Sequence, residues 1–460
     1  MKHRKLIPVG AILLAIHQFF ILDAYAYIDP VTGSALFTFL VGALAAAGFA
    51  LKSYWFRIKT RFSGGIPKEN HTVTTDKSGF DLEVTELKKF EKLTDKDRSI
   101  VFYSENELYT VHFEKLIKEL TNTHHLTICY VTSSRTDPML NCNDKNILPF
   151  YIGDGVTRSN FFKNLKAGIL VMTMPDLETF HIKRSKVHPV HYVYIFHSIV
   201  STHMIYRKNA FDSFDTIFCV GKHHVNEICR NEKKYSLPSK KLVEFGYGKL
   251  EQLMYEAEKN SKIKSTKKNN RTILVAPSWG KNGLIETRGD EIIQTLLDSG
   301  FDVILRPHPM TIKKSNDIVQ KIEKKFQKNT HFKLELDIKN SDSFFLSDCM
   351  ISDWSGVAIE YAFALEKPVL YVDVPKKINN PDYSDLEIVP LEEKIRSQIG
   401  TTISPLDLSD LSSKIENLCL NINQNKKNIQ TLREETVFNL GKSAKIGAEY
   451  ISQLHNESRN

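Results

Sequence analysis

Along the chain, uninterrupted apolar runs of four to six residues alternate with stretches in which apolar residues recur every three or four positions. The first kind fits strands buried on both faces, and the second fits amphipathic helices that cover them. The pattern predicts strands over 99–103, 126–131, 167–172, 191–196 and 216–220, with helices over 108–120, 161–166 and 223–230. A polar, lysine-rich stretch over 256–271 breaks the rhythm. It then restarts, with strands over 272–276, 301–305, 349–352 and 368–372 and helices over 290–299, 315–326 and 355–365. Alternation of this kind implies parallel sheets with helices on both faces. The expected fold is therefore α/β, with two successive doubly wound, Rossmann-like domains over 96–255 and 271–425 and a C-terminal helix over 426–460.

The amino-terminal part departs from this rhythm. Residues 1–26 combine a basic start (Lys2, Arg4, Lys5), an apolar middle and the ending Ala24-Tyr25-Ala26, the make-up of a signal peptide or first membrane helix. Residues 34–51 are apolar, carry no charge and are long enough to cross a bilayer. Lys52, Arg57, Lys59, Arg61 and Lys68 follow with no acid before Glu69, a flank that belongs on the cytoplasmic side. Residues 52–95 read as this basic flank and a linker ending in a helix over 82–93. Whether or not the signal is cleaved, the remainder faces the cytoplasm, so the expected location is the inner (cytoplasmic) membrane.

Composition changes this picture little. A chain of 460 residues, 42% hydrophobic and 25% charged, has room for packed cores in two to three domains. The net charge of +8 is spread widely, and no basic helix carries interleaved aromatics, so nucleic acid is not an expected partner. The six cysteines form no CxxC pair, and Cys129, Cys219 and Cys349 sit inside apolar runs, as reduced core residues do.

The candidate chemistry lies where strands end. Over 301–309 an apolar strand delivers Arg306 and His308 to its carboxyl end, each before a proline that keeps it extended. The plainer alternative is an ordinary strand exit with Arg306 solvated. Over 349–365 a strand, a tight turn and a helix follow one another. Ser355 suits an N-cap, the amides at Gly356 and Val357 would form an anion site, and Gly356 would let a phosphate approach. Glu360 would reach a ribose; the alternative here is a capped core helix. In the first domain, His197 and Ser198 close another apolar strand, so that His197 and His308 would face each other across a crevice between the sheets. No GxGxxG follows a strand, so no dinucleotide cofactor is expected. The one DxD, Asp95-Lys96-Asp97, precedes the first strand rather than following one, so no catalytic metal is expected either.

Three segments, IFHS at His197, VAPSW over 275–279, and RPHP with the later SDWSG and Glu360, together resemble the CDP-glycerol glycerophosphotransferases of teichoic acid synthesis. The chain has His197-Ser198-Ile199-Val200 where that family carries His-Gly and then Thr-Pro, and Gly356 where it carries a second hydroxyl residue. The resemblance implies a GT-B fold and a membrane-anchored transferase. Such an enzyme would move a polyol phosphate from a CDP-activated donor to a hydroxyl of a lipid-linked or glycan acceptor. It implies His197 as general base and His308, with Arg306 near it, stabilising the diphosphate. Ser278, Ser355 and Gly356 would hold the phosphates and Glu360 the ribose. Two other readings stand beside it: a sugar-nucleotide glycosyltransferase of the same fold, and a non-catalytic membrane-anchored scaffold.

Overall fold

The uninterrupted apolar runs become the interior strands of two parallel sheets in the computed structural model, which describes residues 77–180, 182–261, 270–337 and 339–457. The first sheet contains β1 (Ile100–Ser104), β2 (Ile128–Thr132), β3 (Ile147–Tyr151), β4 (Ile169–Met172), β5 (His191–Ile195), β6 (Thr216–Cys219) and β7 (Lys241–Glu244). Their spatial order is β3-β2-β1-β4-β5-β6-β7. The second sheet contains β8 (Thr272–Val275), β9 (Asp302–Leu305), β10 (Phe332–Leu334), β11 (Cys349–Ser352), β12 (Val369–Val372) and β13 (Gly400–Ile403), in the order β10-β9-β8-β11-β12-β13. Every pairing is parallel. Both orders reverse beside their first strand, at β1/β4 and at β8/β11. Connections leave such a point on opposite faces of the sheet, which opens a crevice at the carboxyl ends of the strands.

All residues of β1, β2, β4, β6, β8, β11 and β12 are buried, which is why these strands lack polar alternation. The apolar runs miss β3, β7, β10 and β13, and these are the four sheet edges. On an edge, β3 tolerates Pro149 and β7 buries only Val243.

Helix boundaries shift in three places. The helix expected over 108–120 is a 3-10 segment, Glu107–His112, followed by the α-helix Glu114–Asn122. The helix expected over 82–93 begins earlier, at Lys77, and inserts Phe90 between Phe150 and Phe161. The stretch over 426–460 is not one helix: Ile422–Thr436 is followed by Ser443–Glu457. The latter packs on the helix Glu114–Asn122 of the first domain. Its Ala448 and Ile451 are buried with Phe218 and Phe245, and the Tyr450 hydroxyl lies 2.8 Å from Thr216 Oγ1. A side chain at Gly447 would meet Phe245 at 2.6 Å, so only glycine permits this approach. The first domain, expected to close at 255, therefore includes a helix from far downstream.

Both sheets belong to one compact unit that starts at Thr75. Their seam is formed by the helix Gly248–Ser261 against the helix Gly356–Leu365, with Tyr247, Leu250, Ala358 and Ile359 in one shared apolar cluster. Apart from Glu360, the second of these helices is apolar all round, because most of its residues are buried. Cys129, Cys219 and Cys349 are buried and unpaired. The signal over 1–26, the span over 34–51 and residues 52–76 lie outside the described residues. Among the described residues no helix is long and apolar enough to cross a membrane.

Candidate active site

The two histidines hang from strand exits as opposite tautomers. His197 follows β5, and its Nδ1 lies 3.0 Å from the carbonyl oxygen of Thr173. A carbonyl can only accept, so Nδ1 carries the proton and Nε2 keeps its lone pair. His308 caps the short helix Pro309–Lys314, and its Nδ1 accepts the N–H of Met310 at 3.0 Å. That places the proton of His308 on Nε2. Burial lowers the pKa of His197 to about 4 and that of His308 to about 3. The Lys249 ammonium depresses both imidazoles further, so it lies within electrostatic reach of each. Both rings are therefore neutral at pH 7, one presenting a base and the other a donor.

The second-domain crevice is tied together by a buried carboxylate. Asp353 accepts the N–H of Ser278 at 2.7 Å through Oδ1 and that of Leu284 at 3.1 Å through Oδ2. This joins the loop after β8 to the loop after β11 at the point where strand order reverses. Ser278 is buried there, and among the described residues its hydroxyl makes no hydrogen bond. Ser355 is the N-cap of Gly356–Leu365 by backbone geometry, yet its side chain makes no capping bond. Beside them, Trp279 lies 6.1 Å from His308, with Lys314 and Lys377 over its ring at 4.6 and 4.3 Å. Burial lowers the Lys377 pKa to about 8, against the pull of Asp353 and Glu286.

Three expected ligand contacts are engaged elsewhere. The Arg306 guanidinium bonds Glu335 at 2.8 Å, the Asn340 carbonyl at 2.6 Å and Ser343 at 3.1 Å, so it braces its own loop rather than accompanying His308. Glu360 accepts the Tyr247 hydroxyl at 2.6 Å through Oε1 and pairs with Lys249 at 2.7 Å through Oε2. Its side chain is 3% exposed, which leaves no room for a ribose in this arrangement. Gly356 is close-packed from the other domain: a Cβ there would sit 2.5 Å from Ser198 Oγ and 3.0 Å from Val200. The two positions at which the chain departs from the pattern it resembles thus meet across the seam, the hydroxyl of one filling the space left by the other.

The loop carrying His197 and Ser198 is held by groups that the sequence had not singled out for this role. His223 and His224 lie 2.9 Å from the Ile199 and Val200 carbonyls, and Glu392 accepts the N–H and hydroxyl of Ser201 at 2.9 and 2.6 Å. His203 spans Glu227 and the Ile388 carbonyl. Lys249 and Tyr247 escaped notice because they follow β7, an edge strand with too little apolar character to read as one.

Two successive doubly wound, parallel-sheet domains make a GT-B-like fold. The family described as CDP-Glycerol:Poly(glycerophosphate) glycerophosphotransferase matches residues 86–377, and the chain belongs to it. It is an enzyme of the CDP-glycerol glycerophosphotransferase type. Among solved structures, a variant of the wall teichoic acid polymerase TagF is similar at 14% identity, with a TM-score of 0.54 over 82% of this chain and 95% of that one. A second TagF structure, soaked with CDPG, gives 14% identity and a TM-score of 0.50 over 84% of this chain and 98% of that one. No curated protein matches the chain.

Proposed function

We propose that the protein transfers glycerol phosphate from CDP-glycerol to a hydroxyl of a lipid-linked or poly(glycerophosphate) acceptor at the cytoplasmic face of the membrane, held there by residues 34–51. The observation that carries this reading is the pair of opposite tautomers. His197 Nε2 takes the proton of the acceptor hydroxyl as its oxygen attacks the β-phosphorus of the donor. The bond from that phosphorus to the bridging oxygen breaks, CMP departs, and the proton on His197 passes to solvent. His308 Nε2–H donates to the diphosphate as charge moves onto the leaving group, in a site dry enough to strengthen that bond. Lys249 and Lys377 add positive charge, and Ser278 and Ser355 offer hydroxyls to the phosphates.

The test is CMP release from CDP-glycerol by the full chain. Removing a general base lowers turnover about 10²–10⁴-fold, so His197→Ala is expected to fall by that much with donor affinity retained. His308→Ala is expected to lose both turnover and donor affinity. Unchanged turnover in both variants overturns the assignment, and tighter binding of UDP-linked than CDP-linked donors turns it toward glycosyl transfer.

A further inference from the structure

The crevice of the first domain holds polar groups that the proposed chemistry does not use. Glu105 lies one residue beyond β1, at the reversal of strand order. The register aligns Tyr103 with Met172 and Met172 with Tyr194, so Glu105 stands two strands from the His197 exit, about 10 Å at ordinary strand spacing. Tyr109 links the two regions: its ring lies 5.5 Å from His197, and the Glu105 charge raises its pKa further after burial. Yet Glu105 makes neither a hydrogen bond nor an ion pair among the described residues, and burial pushes its carboxyl up to about 7. Arg158, on the helix Val156–Asn164 that follows β3, is close enough to offset part of that shift but not to pair with it. Its Nε is buried without a partner, and its one hydrogen bond, to the Tyr103 hydroxyl, is long at 3.5 Å. Thr173, whose carbonyl orients His197, also buries its hydroxyl unpaired. The Arg158 Nε and the Thr173 hydroxyl, buried without partners at one strand-order reversal, are expensive unless something else completes them, and the part-buried Glu105 carboxyl near them has no protein partner among the described residues.

The geometry points to an acceptor subsite in which Arg158 binds the phosphate of the acceptor's terminal unit and Glu105 accepts a hydrogen bond from its polyol hydroxyl, turning the attacking oxygen toward His197. This inference rests on the transfer reading above and adds to it the residues of this chain that hold and orient the acceptor's terminal unit. An anion needs a guanidinium whose donors are not already spent, and a neutral polyol needs an acceptor beside the base. The first-domain crevice offers both.

The experiment uses the full chain, CDP-glycerol as donor, and two acceptor probes: a short soluble glycerol-phosphate oligomer and glycerol itself. Arg158→Gln is expected to raise the oligomer KM at least tenfold, to raise the glycerol KM much less, and to leave the CDP-glycerol KM within twofold. Glu105→Gln is expected to raise the KM of both acceptors, and Arg158→Lys to recover part of the oligomer preference. Folded variants, judged by a melting temperature no lower than that of wild type, that keep every acceptor KM within twofold overturn the subsite. If wild-type protein releases no CMP from CDP-glycerol, the transfer reading fails instead. Calorimetric titration of the oligomer then decides the subsite alone: equal affinity in wild type and Arg158→Gln rejects it.

Discussion

The two crevices are built at equivalent points of two similar sheets but treat their charged groups in opposite ways. In the second domain, Asp353 fills both oxygens with backbone amides and Arg306 spreads over Glu335, Asn340 and Ser343. In the first, among the described residues, the Nε of Arg158 is buried without a partner and the part-buried Glu105 bonds no protein group. A half whose loops are fastened by internal charge pairs is ready before any ligand arrives, and it suits a ligand of constant shape, as a nucleotide diphosphate is. A half whose charges are left open sacrifices stability for the ligand that will satisfy them.

The largest test of that contrast is Arg306→Ala. Removing one partner of a buried pair strands Glu335, so the variant should lose about 3 kcal/mol of stability in denaturant titrations. The CDP-glycerol KM of the remaining folded protein should stay within a fewfold of wild type. A large KM effect with intact stability would return Arg306 to the ligand. Glu105 should behave in the reverse sense. A carboxyl with a raised folded pKa holds its proton more tightly folded than unfolded, so the stability it lends is present at low pH and lost as pH climbs through about 7. Glu105→Gln should therefore match wild type near pH 4 and exceed it at pH 8, by about 1 kcal/mol after allowance for partial exposure. A variant less stable than wild type at pH 8 would mean that Glu105 is already satisfied. The smallest effect probes the seam between the halves. Gly356→Ser should destabilise by about 1 kcal/mol through overpacking, and Ser198→Gly in the same chain should relieve most of it. Additive losses in the double-mutant cycle would show that the two positions do not share one space.

Interior strands, their order of appearance and the exits carrying His197 and His308 were legible in the sequence because burial on both faces leaves an unbroken apolar signature. Edge strands such as β7 (KLVE) and β10 (FKL) were not, since half their surface meets water and their residues satisfy no apolar pattern. Losing β7 also hid Lys249, the cation common to both imidazoles. The Arg306 contacts were out of reach for another reason: a proline-fixed backbone says where a side chain starts, and its partner Glu335 comes from the end of an edge strand. Glu360 looked like a ligand because acids at that place in a helix often are one. Only the packing of Tyr247 against it reveals a second use.

The return of Ser443–Glu457 to the first sheet has a consequence for how the protein is made. The ribosome finishes β7 about 200 residues before it delivers the helix that covers Phe218 and Phe245. At bacterial-to-eukaryotic synthesis rates this is an interval of roughly 10–40 s. Throughout it the nascent first domain carries an uncovered apolar flank. Emergence of Ser443–Glu457, rather than completion of either sheet, is the moment at which the first domain can close.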